Sequence, residues 1–205
     1  MTIVYRLGSK LYLNITNACP CSCAFCLRET QSGVGDAESL WLEREPDIGE
    51  IKAALDACYS FEGMDEIVFC GYGEPMERAG VVIEISRYIK SDIFAEKNKP
   101  ALPVRVNTNG LVYLICPGFD VSQLAVVDTV SISLNADDAA EYQQVARPRF
   151  GEPSFDALLS FARDAGAYTS VVFSVVEGTM SPERLENCRR IADDMGVAFR
   201  LRPRE

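Results

Sequence analysis

The chain has 205 residues, which is enough for one domain with a sizeable hydrophobic core. Its 48% hydrophobic and 24% charged residues are ordinary for a soluble globular protein. The net charge of −10 argues against non-specific binding to nucleic acid and against attachment to an anionic membrane surface, since both favour basic proteins.

The cysteine and histidine content narrows the chemistry further. There are eight cysteines and no histidine, which excludes a Ser-His-Asp triad, a Cys-His pair and the histidine-containing zinc sites. No run of eighteen apolar residues predicts a transmembrane helix, and the first ten residues lack the layout of a signal peptide. We therefore expect a cytoplasmic protein, in which clustered cysteines bind metal or serve redox chemistry more often than they form disulfides.

Two short β-type runs open the chain. Ile3–Tyr5 and Leu11–Ile15 flank a glycine-containing turn, and the second leads into the stretch Asn14–Glu29. This stretch places chemistry-bearing residues at the carboxyl end of a strand, where α/β folds have their sites. Its cysteines are Cys19, Cys21, Cys23 and Cys26.

Behind this stretch, apolar runs typical of strands alternate with helical stripes, in which apolar residues recur three and four positions apart. The later predicted strands are Glu66–Cys70, Val104–Asn107, Thr129–Leu134, Ser170–Val176 and Val197–Leu201. The predicted helices are residues 46–58, Val82–Ile93, Asp137–Ala146, Ser154–Ala165 and residues 181–195.

The alternation of strand and helix predicts an α/β fold with parallel strands joined by right-handed crossovers. A complete eight-fold barrel typically needs ~250 residues, so we expect an incomplete (β/α)6 partial TIM barrel. The cysteine loop lies at the carboxyl end of its first barrel strand. We expect a single domain over residues 1–205, without a separate domain for an auxiliary cluster.

Polar motifs follow three further predicted strands. They are GYGEP at residues 71–75, NTNG at residues 107–110 and the segment 133–135. Because the carboxyl ends of parallel strands share one face of the fold, we expect these motifs to converge with the cysteine loop. Each motif alone would equally be an ordinary turn.

The cysteines of the loop have the spacing CxxxCxxC in Cys19, Cys23 and Cys26. Structural zinc takes four ligands, usually as two separated pairs, and the chain has no second pair of comparable spacing. Three closely spaced thiolates suit a [4Fe–4S] cluster with one iron left open. On this interpretation Cys21 is a bystander, and Cys58 and Cys188 belong to apolar helical faces.

The combination resembles the radical SAM superfamily. The CxxxCxxC spacing with Phe25 before the third cysteine is similar to the superfamily signature, and GYGEP is similar to its GGEP motif, with Tyr72 where a glycine is usual. NTNG and residues 133–135 lie where the third-strand and ribose motifs fall. More narrowly, the chain resembles the small TatD-associated radical SAM proteins in the stretches LYLNITNACPCSCAFCLRE, LWLEREP and FCGYGEP.

This resemblance implies a radical SAM enzyme. Cys19, Cys23 and Cys26 would ligate three irons of a [4Fe–4S] cluster, and S-adenosylmethionine (SAM) would chelate the fourth. Reductive cleavage of SAM would give methionine and a 5′-deoxyadenosyl radical, which would abstract hydrogen from an unidentified substrate. The implied partners are a low-potential electron donor of the flavodoxin or ferredoxin type and a TatD-like hydrolase.

The resemblance also implies a set of SAM-binding residues. An aromatic ring beside the cluster and one strand end would contact adenine, the GYGEP loop would accept hydrogen bonds from the amino group, and polar strand ends would bind the carboxylate or ribose. The adenine contacts are Phe25 and Val175 or Val176. The amino-group contacts are Tyr72, Gly73 and Glu74. The carboxylate and ribose contacts are Asn107, Ser133 and Asn135.

Arginines near the end of the chain are candidate substrate-binding residues. Arg200 and Arg202 alternate along a predicted strand, so both can point to one face, and Arg147 precedes them in the chain. We expect these three to bind an anionic substrate group. The alternative is that they are solvated surface charges.

Other functions remain open at this point. A protein of another class, a non-catalytic Fe–S or zinc protein in electron transfer or assembly, would use the same cysteines. Within the enzyme class, a glycyl-radical activase and an enzyme similar to 7-carboxy-7-deazaguanine synthase are the alternatives. None of their substrate determinants is evident in the sequence.

Overall fold

We describe a computed structural model of the chain over residues 1–58, 63–96 and 102–203. The strands in these ranges form one seven-stranded sheet, whose spatial order follows the order of the chain. They are β1 (Val4–Leu7), β2 (Lys10–Leu13), β3 (Glu66–Phe69), β4 (Val104–Thr108), β5 (Thr129–Ser133), β6 (Ser170–Val176) and β7 (Ala198–Arg202).

The direction of the strands confirms the predicted fold class. β1 and β2 form an antiparallel hairpin, and every later neighbour pair from β2 to β7 is parallel. β1 and β7 do not pair within the described residues, so the sheet is an open, partial barrel. Its six parallel strands are those that the sequence predicts.

Helices cover the outer face of the sheet. Within the described residues, none of them is long and apolar enough to cross a membrane. They are α1 (Ile48–Asp56), α2 (Ala79–Ile89), α3 (Asp92–Glu96), α4 (Val112–Ile115), α5 (Ala139–Val145), α6 (Pro153–Ala165) and α7 (Pro182–Asp194). Short 3₁₀ helices lie at Leu27–Glu29, Pro75–Arg78 and Val121–Val126.

The main core lies between the sheet and these helices. Side chains alternate between the two faces of a strand, and one set is apolar: Leu13, Phe69, Val106 and Phe173 are fully buried in the same cluster as residues of α2 and α6. The helices therefore take the apolar set, which leaves the other set of each strand on the inner face of the sheet.

The helix predicted over Val82–Ile93 is interrupted in the structure. α2 ends at Ile89, and α3 begins three residues later. Ile93 is 61% exposed, and Phe94 takes the buried position instead. The Ser91 hydroxyl accepts the Phe94 N–H at 3.4 Å, a serine-to-backbone contact that competes with continuation of the helix.

The link between β4 and β5, for which we predict no helix, contains α4 and the 3₁₀ helix Val121–Val126. Both elements are short. Their apolar residues Val112 and Leu124 are nevertheless fully buried. Tertiary burial stabilises segments that are too short to show a clear helical period in the sequence.

Two glycines in this region provide a matched test of packing. Gly110 and Gly118 both have positive φ, +79° and +85°. A Cβ at Gly110 would lie 2.9 Å from Ile132 Cγ2 and from Leu158 Cγ, whereas a Cβ at Gly118 would meet nothing within 4 Å.

We expect Gly110→Ala and Gly118→Ala to share a backbone penalty of about 1 kcal/mol. Gly110→Ala should lose a further ~1–3 kcal/mol because the added methyl overpacks the core. Urea denaturation of both variants measures the difference. Equal free energies of unfolding would contradict the close packing of the NTNG turn on α6.

Candidate active site

A cavity of about 560 Å³ extends from the carboxyl ends of the parallel strands over the inner face of the sheet. Its volume is within the roughly 300–1,000 Å³ range of small-molecule sites. Its wall combines the cysteine loop, the loops after β3, β4 and β5, and the ends of β6 and β7. The sequence-predicted residues in the wall are Cys19, Cys23, Cys26, Phe25, Tyr72, Gly73, Glu74, Asn107, Ser133, Asn135, Val176, Arg200 and Arg202.

Two predicted site residues lie elsewhere. Val175 is fully buried in the outer core, since it alternates with Val176 along β6. Arg147 is exposed just after α5 and outside the cavity wall, and its Nε donates to the Gln144 carbonyl at 3.3 Å. Its φ of +47° lies in the left-handed region that arginine rarely adopts.

The segment that contains Arg147 fixes the cysteine loop. The Ser22 and Ala24 N–H groups donate to carbonyls at residues 146 and 145, at 3.1 and 2.9 Å. The Arg149 N–H donates to the Pro20 carbonyl at 2.8 Å, and Cys21 forms an isolated antiparallel bridge with Pro148. The loop is thus attached by its backbone to the end of α5, and its thiols face the cavity.

The thiol of Cys21 forms hydrogen bonds with the thiols of Cys19 and Cys23. Hydrogen bonding with Cys21 is the main reason that the pKa of Cys19 and the pKa of Cys23 are lowered, and it raises the pKa of Cys21 itself. Burial raises the pKa of Cys26.

The donor set fits an iron–sulfur cluster in its chemistry, because three thiols from one loop are the ligands that such clusters use. Among residues 1–58, 63–96 and 102–203, no three Cys, Asp or Glu side chains are already arranged to hold a metal ion. Binding a cluster therefore requires the thiols to turn toward a common centre. The thiols that bind it would give up their protons, since metal ligands must be deprotonated.

The loop after β3 lies directly against the start of the cysteine loop. A Cβ at Gly73 would be 2.3 Å from the Thr16 carbonyl oxygen and 2.7 Å from that of Ala18. A Cβ at Gly71 would be 2.0 Å from Asn14 Oδ1. Only glycine permits this approach at either position, and it places residues 71–74 beside the cysteines.

Tyr72 ties the same loop to the segment that follows the cysteines. Its hydroxyl donates to the Gln31 carbonyl, and its ring packs edge-on against Trp41 with centroids 5.2 Å apart. With Tyr5 and Leu40 it forms a small second apolar cluster. The aromatic residue in place of a glycine is therefore a structural anchor for residues 31–41.

Glu74 is 4% exposed and joins the loops after β3 and β4. Its Oε1 accepts the Met76 N–H at 2.9 Å, and its Oε2 accepts the Asn109 N–H at 2.6 Å. Burial raises the pKa of this carboxyl to about 7, despite these hydrogen bonds, which act in the opposite direction. A positive group entering the cavity would stabilise its charged form.

Asn135 supplies an acceptor without a donor. It is buried, and its Oδ1 has no hydrogen-bond partner in the described part of the chain. Its φ of +52° is a left-handed conformation that asparagine tolerates. A buried acceptor of this kind normally finds a partner, so a ligand with a hydroxyl or amino donor would complete the site.

Comparison with known proteins identifies the family. The chain matches the radical SAM superfamily over residues 13–192. It belongs to this superfamily. No curated protein matches the sequence, so the family assignment comes from the superfamily match.

Several solved structures of other proteins have a fold similar to that of this radical SAM protein. SuiB of Streptococcus suis bound to the precursor peptide SuiA is similar with a TM-score of 0.66 at 15% identity, over 98% of this chain and 40% of SuiB. TYW1 with a lysine-pyruvate adduct gives 0.61 at 12% identity, over 96% and 65%. anSMEcpe with bound AdoMet gives 0.62 at 13%, over 95% and 50%. The chain thus spans less than half of SuiB, and these likenesses show the shared fold.

Several wall residues of this radical SAM protein are not among the site residues predicted from the sequence. The pattern that could have identified them is the two-residue period of the strands. Arg105 and Asn107 lie two residues apart on β4, as Arg200 and Arg202 do on β7. A charged residue near the start of a short strand does not by itself indicate a functional site, so Arg105 was not predicted. The added wall residues include Lys10, Tyr12, Cys21, Cys70, Arg105 and Asn109.

The pKa of Glu74 gives a pH-dependent stability. Its folded value of about 7 exceeds its ordinary value of 4.5, so the folded protein holds this proton more tightly than the unfolded chain. The contribution is present below about pH 4.5 and is lost as the pH rises to about 7.

Relative to Glu74→Gln, which has no titrating group, wild-type protein should therefore lose up to ~3 kcal/mol of unfolding free energy across that window. Urea denaturation of both proteins at pH 5 and pH 8 measures this difference. A difference between the two that does not change with pH would show that Glu74 titrates normally.

Proposed function

We propose that this radical SAM protein is an enzyme that holds a [4Fe–4S] cluster through Cys19, Cys23 and Cys26 and binds SAM in the cavity beside it. When bound, these groups supply reductive cleavage of SAM to methionine and a 5′-deoxyadenosyl radical, which abstracts hydrogen from a substrate. The observation that carries the proposal is the shared cavity. One wall holds the cysteines, and the adjoining walls hold the loops after β3, β4 and β5.

The protein's own residues position the cofactors in this proposal. Glu74 accepts one N–H on each oxygen, and a carboxylate has about four acceptor sites, so capacity remains for an ammonium group. The free Oδ1 of Asn135 is available to a ribose hydroxyl or an amino group. Phe25 and Val176 contribute apolar surface at the cavity wall for adenine.

The fold sets how the site excludes water. The cysteine loop and the residues around Tyr72 cover the strand ends, while the gap between β1 and β7 leaves the barrel open laterally. We propose that a large substrate or a partner occupies this opening. A low-potential donor of the flavodoxin or ferredoxin type would supply electrons. The TatD-associated subgroup, with its TatD-like hydrolase, is supported by the three sequence stretches that resemble it.

Iron content and SAM cleavage test the proposal. Anaerobically reconstituted wild-type protein should contain about four irons and form 5′-deoxyadenosine from SAM and dithionite, as three-cysteine cluster ligation requires. Cys23→Ala should lose both properties, because a ligand is missing. Cys116→Ala is the matched control, since Cys116 is an exposed cysteine outside the cavity wall.

The same measurement separates the proposal from a non-catalytic protein. Zinc without iron, or iron without formation of 5′-deoxyadenosine, would overturn the enzyme assignment. Identification of a substrate then discriminates among a glycyl-radical activase, an enzyme similar to 7-carboxy-7-deazaguanine synthase and other members.

Cys21 provides a second, sharper test of the ligand set. It lines the same cavity as the other three cysteines of the loop. We expect Cys21→Ala to keep its cluster and its SAM cleavage within about twofold of wild type, since Cys19, Cys23 and Cys26 already supply the three thiolates of a cluster with one open iron. Loss of iron in Cys21→Ala with retention in Cys26→Ala would show that another trio binds the cluster.

A further inference from the structure

Three arginines lie together on the inner face of the sheet. Arg105 is on β4, and Arg200 and Arg202 are on β7. All three are in the cavity wall, and Arg105 is 4% exposed. The inner layers of a complete barrel are filled mainly by bulky branched apolar side chains, so three guanidinium groups here need another explanation. We call these three residues the arginine cluster.

One member of the cluster, Arg105, is paired with a carboxylate. Glu66 on β3 receives Arg105 Nε at 3.0 Å and Nη2 at 2.9 Å, a bidentate pair. The same carboxylate also receives Lys10 Nζ at 2.9 Å. In the described ranges, neither Arg200 nor Arg202 has an acidic side chain within ion-pair distance.

Among the described residues, the hydrogen-bond partners of Arg200 and Arg202 are neutral groups. Each extends across β6 to a serine of β5, with Arg200 Nη2 3.1 Å from Ser131 Oγ and Arg202 Nη2 3.4 Å from Ser133 Oγ. Their Nε atoms are buried and have no hydrogen-bond partner among the described residues. A buried donor without an acceptor is unfavourable, and two adjacent ones indicate a missing acceptor.

Like charges accumulate at this site. Burial lowers the pKa of Arg200, and the nearby Arg105 and Arg202 lower it further, whereas Glu66 acts in the opposite direction; a guanidinium nevertheless stays protonated in proteins. The wall holds five cations, Lys10, Arg28 and the arginine cluster, against the carboxylates Glu29 and Glu74 and the carboxylate of Glu66 that pairs with Arg105 and Lys10. The protein as a whole carries −10. A positive cavity in an acidic protein attracts anions selectively to that cavity.

We propose that the arginine cluster binds an anionic group of the substrate, a carboxylate or a phosphate. The planar donors of Arg200 and Arg202 match such oxyanions, and their free Nε atoms are the donors that the anion would satisfy. Arg105, which Glu66 holds in place, adds positive charge next to Arg200 and Arg202. This proposal rests on the proposed function for its assignment to the substrate.

SAM itself carries a carboxylate, which is the alternative ligand for the arginine cluster. Ser133, which accepts from Arg202, is one of the residues expected to contact SAM. The experiment therefore measures anion binding and SAM use on the same variants.

The binding arm uses inorganic phosphate and malonate as probes on reconstituted protein without SAM. Thermal unfolding is followed against each anion, with chloride at matched ionic strength as the reference. Wild-type protein should show saturable stabilisation, and Arg200→Gln and Arg202→Gln should each weaken anion affinity at least tenfold. Arg163→Gln, which changes an exposed arginine on α6, should bind as wild type does.

A folding control is built into the same series. Without added anion, Arg200→Gln should unfold at the wild-type temperature or above it, because it relieves repulsion among the three cations. Anion stabilisation that is equal in wild type and both cluster variants, or absent in all of them, would overturn the proposal.

The SAM arm assigns the anion to substrate or cofactor. With dithionite, Arg200→Gln should form 5′-deoxyadenosine with an unchanged KM for SAM, and phosphate should not compete with SAM. If the KM for SAM rises by the same factor as the affinity for phosphate falls, the arginine cluster binds the SAM carboxylate, and the substrate assignment is overturned. If no protein cleaves SAM while phosphate binding still depends on Arg200, the proposed function fails and the anion site itself is supported.

Discussion

The two-residue alternation of six parallel strands is the constraint on which the rest of this structure depends. One set of side chains, including Leu13 and Phe69, is apolar and packs under the helices. The opposite set, including Arg105 and Arg200, lines a cavity. Because a shift of one residue in register would exchange the two sets, the burial of the outer core also fixes which polar groups face the inner side.

The cavity consequently has two chemically different regions. Near the strand ends are thiols, the buried carboxyl of Glu74 and the unpaired oxygen of Asn135, a set suited to a cluster and to a ligand with amino and hydroxyl donors. On the inner face is an excess of positive charge that one carboxylate, Glu66, only partly neutralises. A radical SAM enzyme has to hold SAM and its substrate side by side, and our proposals assign SAM to the first region and an anionic group of the substrate to the second.

Most of the architecture could be predicted from the sequence, because apolar strand-like runs alternate with helical stripes and four of the strands end in a polar motif. The errors have physical causes. Ile93 fits the stripe of α2, but the chain turns before it and buries Phe94 instead. Arg147, a predicted contact for an anionic substrate group, lies outside the wall of this cavity, and its role stays a prediction. Arg105 was not predicted because its neighbours Arg200 and Arg202 lie on β7, almost a hundred residues later in the chain, and only the folded sheet brings these side chains together.

The central claim is that the cysteine loop carries a cluster with an open iron beside a SAM site. Electron paramagnetic resonance of the dithionite-reduced, reconstituted protein tests this most directly, recorded with and without SAM. We predict the spectrum of a reduced [4Fe–4S] cluster whose g-values shift when SAM is added, because SAM binds the iron that no cysteine holds. A cluster spectrum that SAM leaves unchanged would contradict the account.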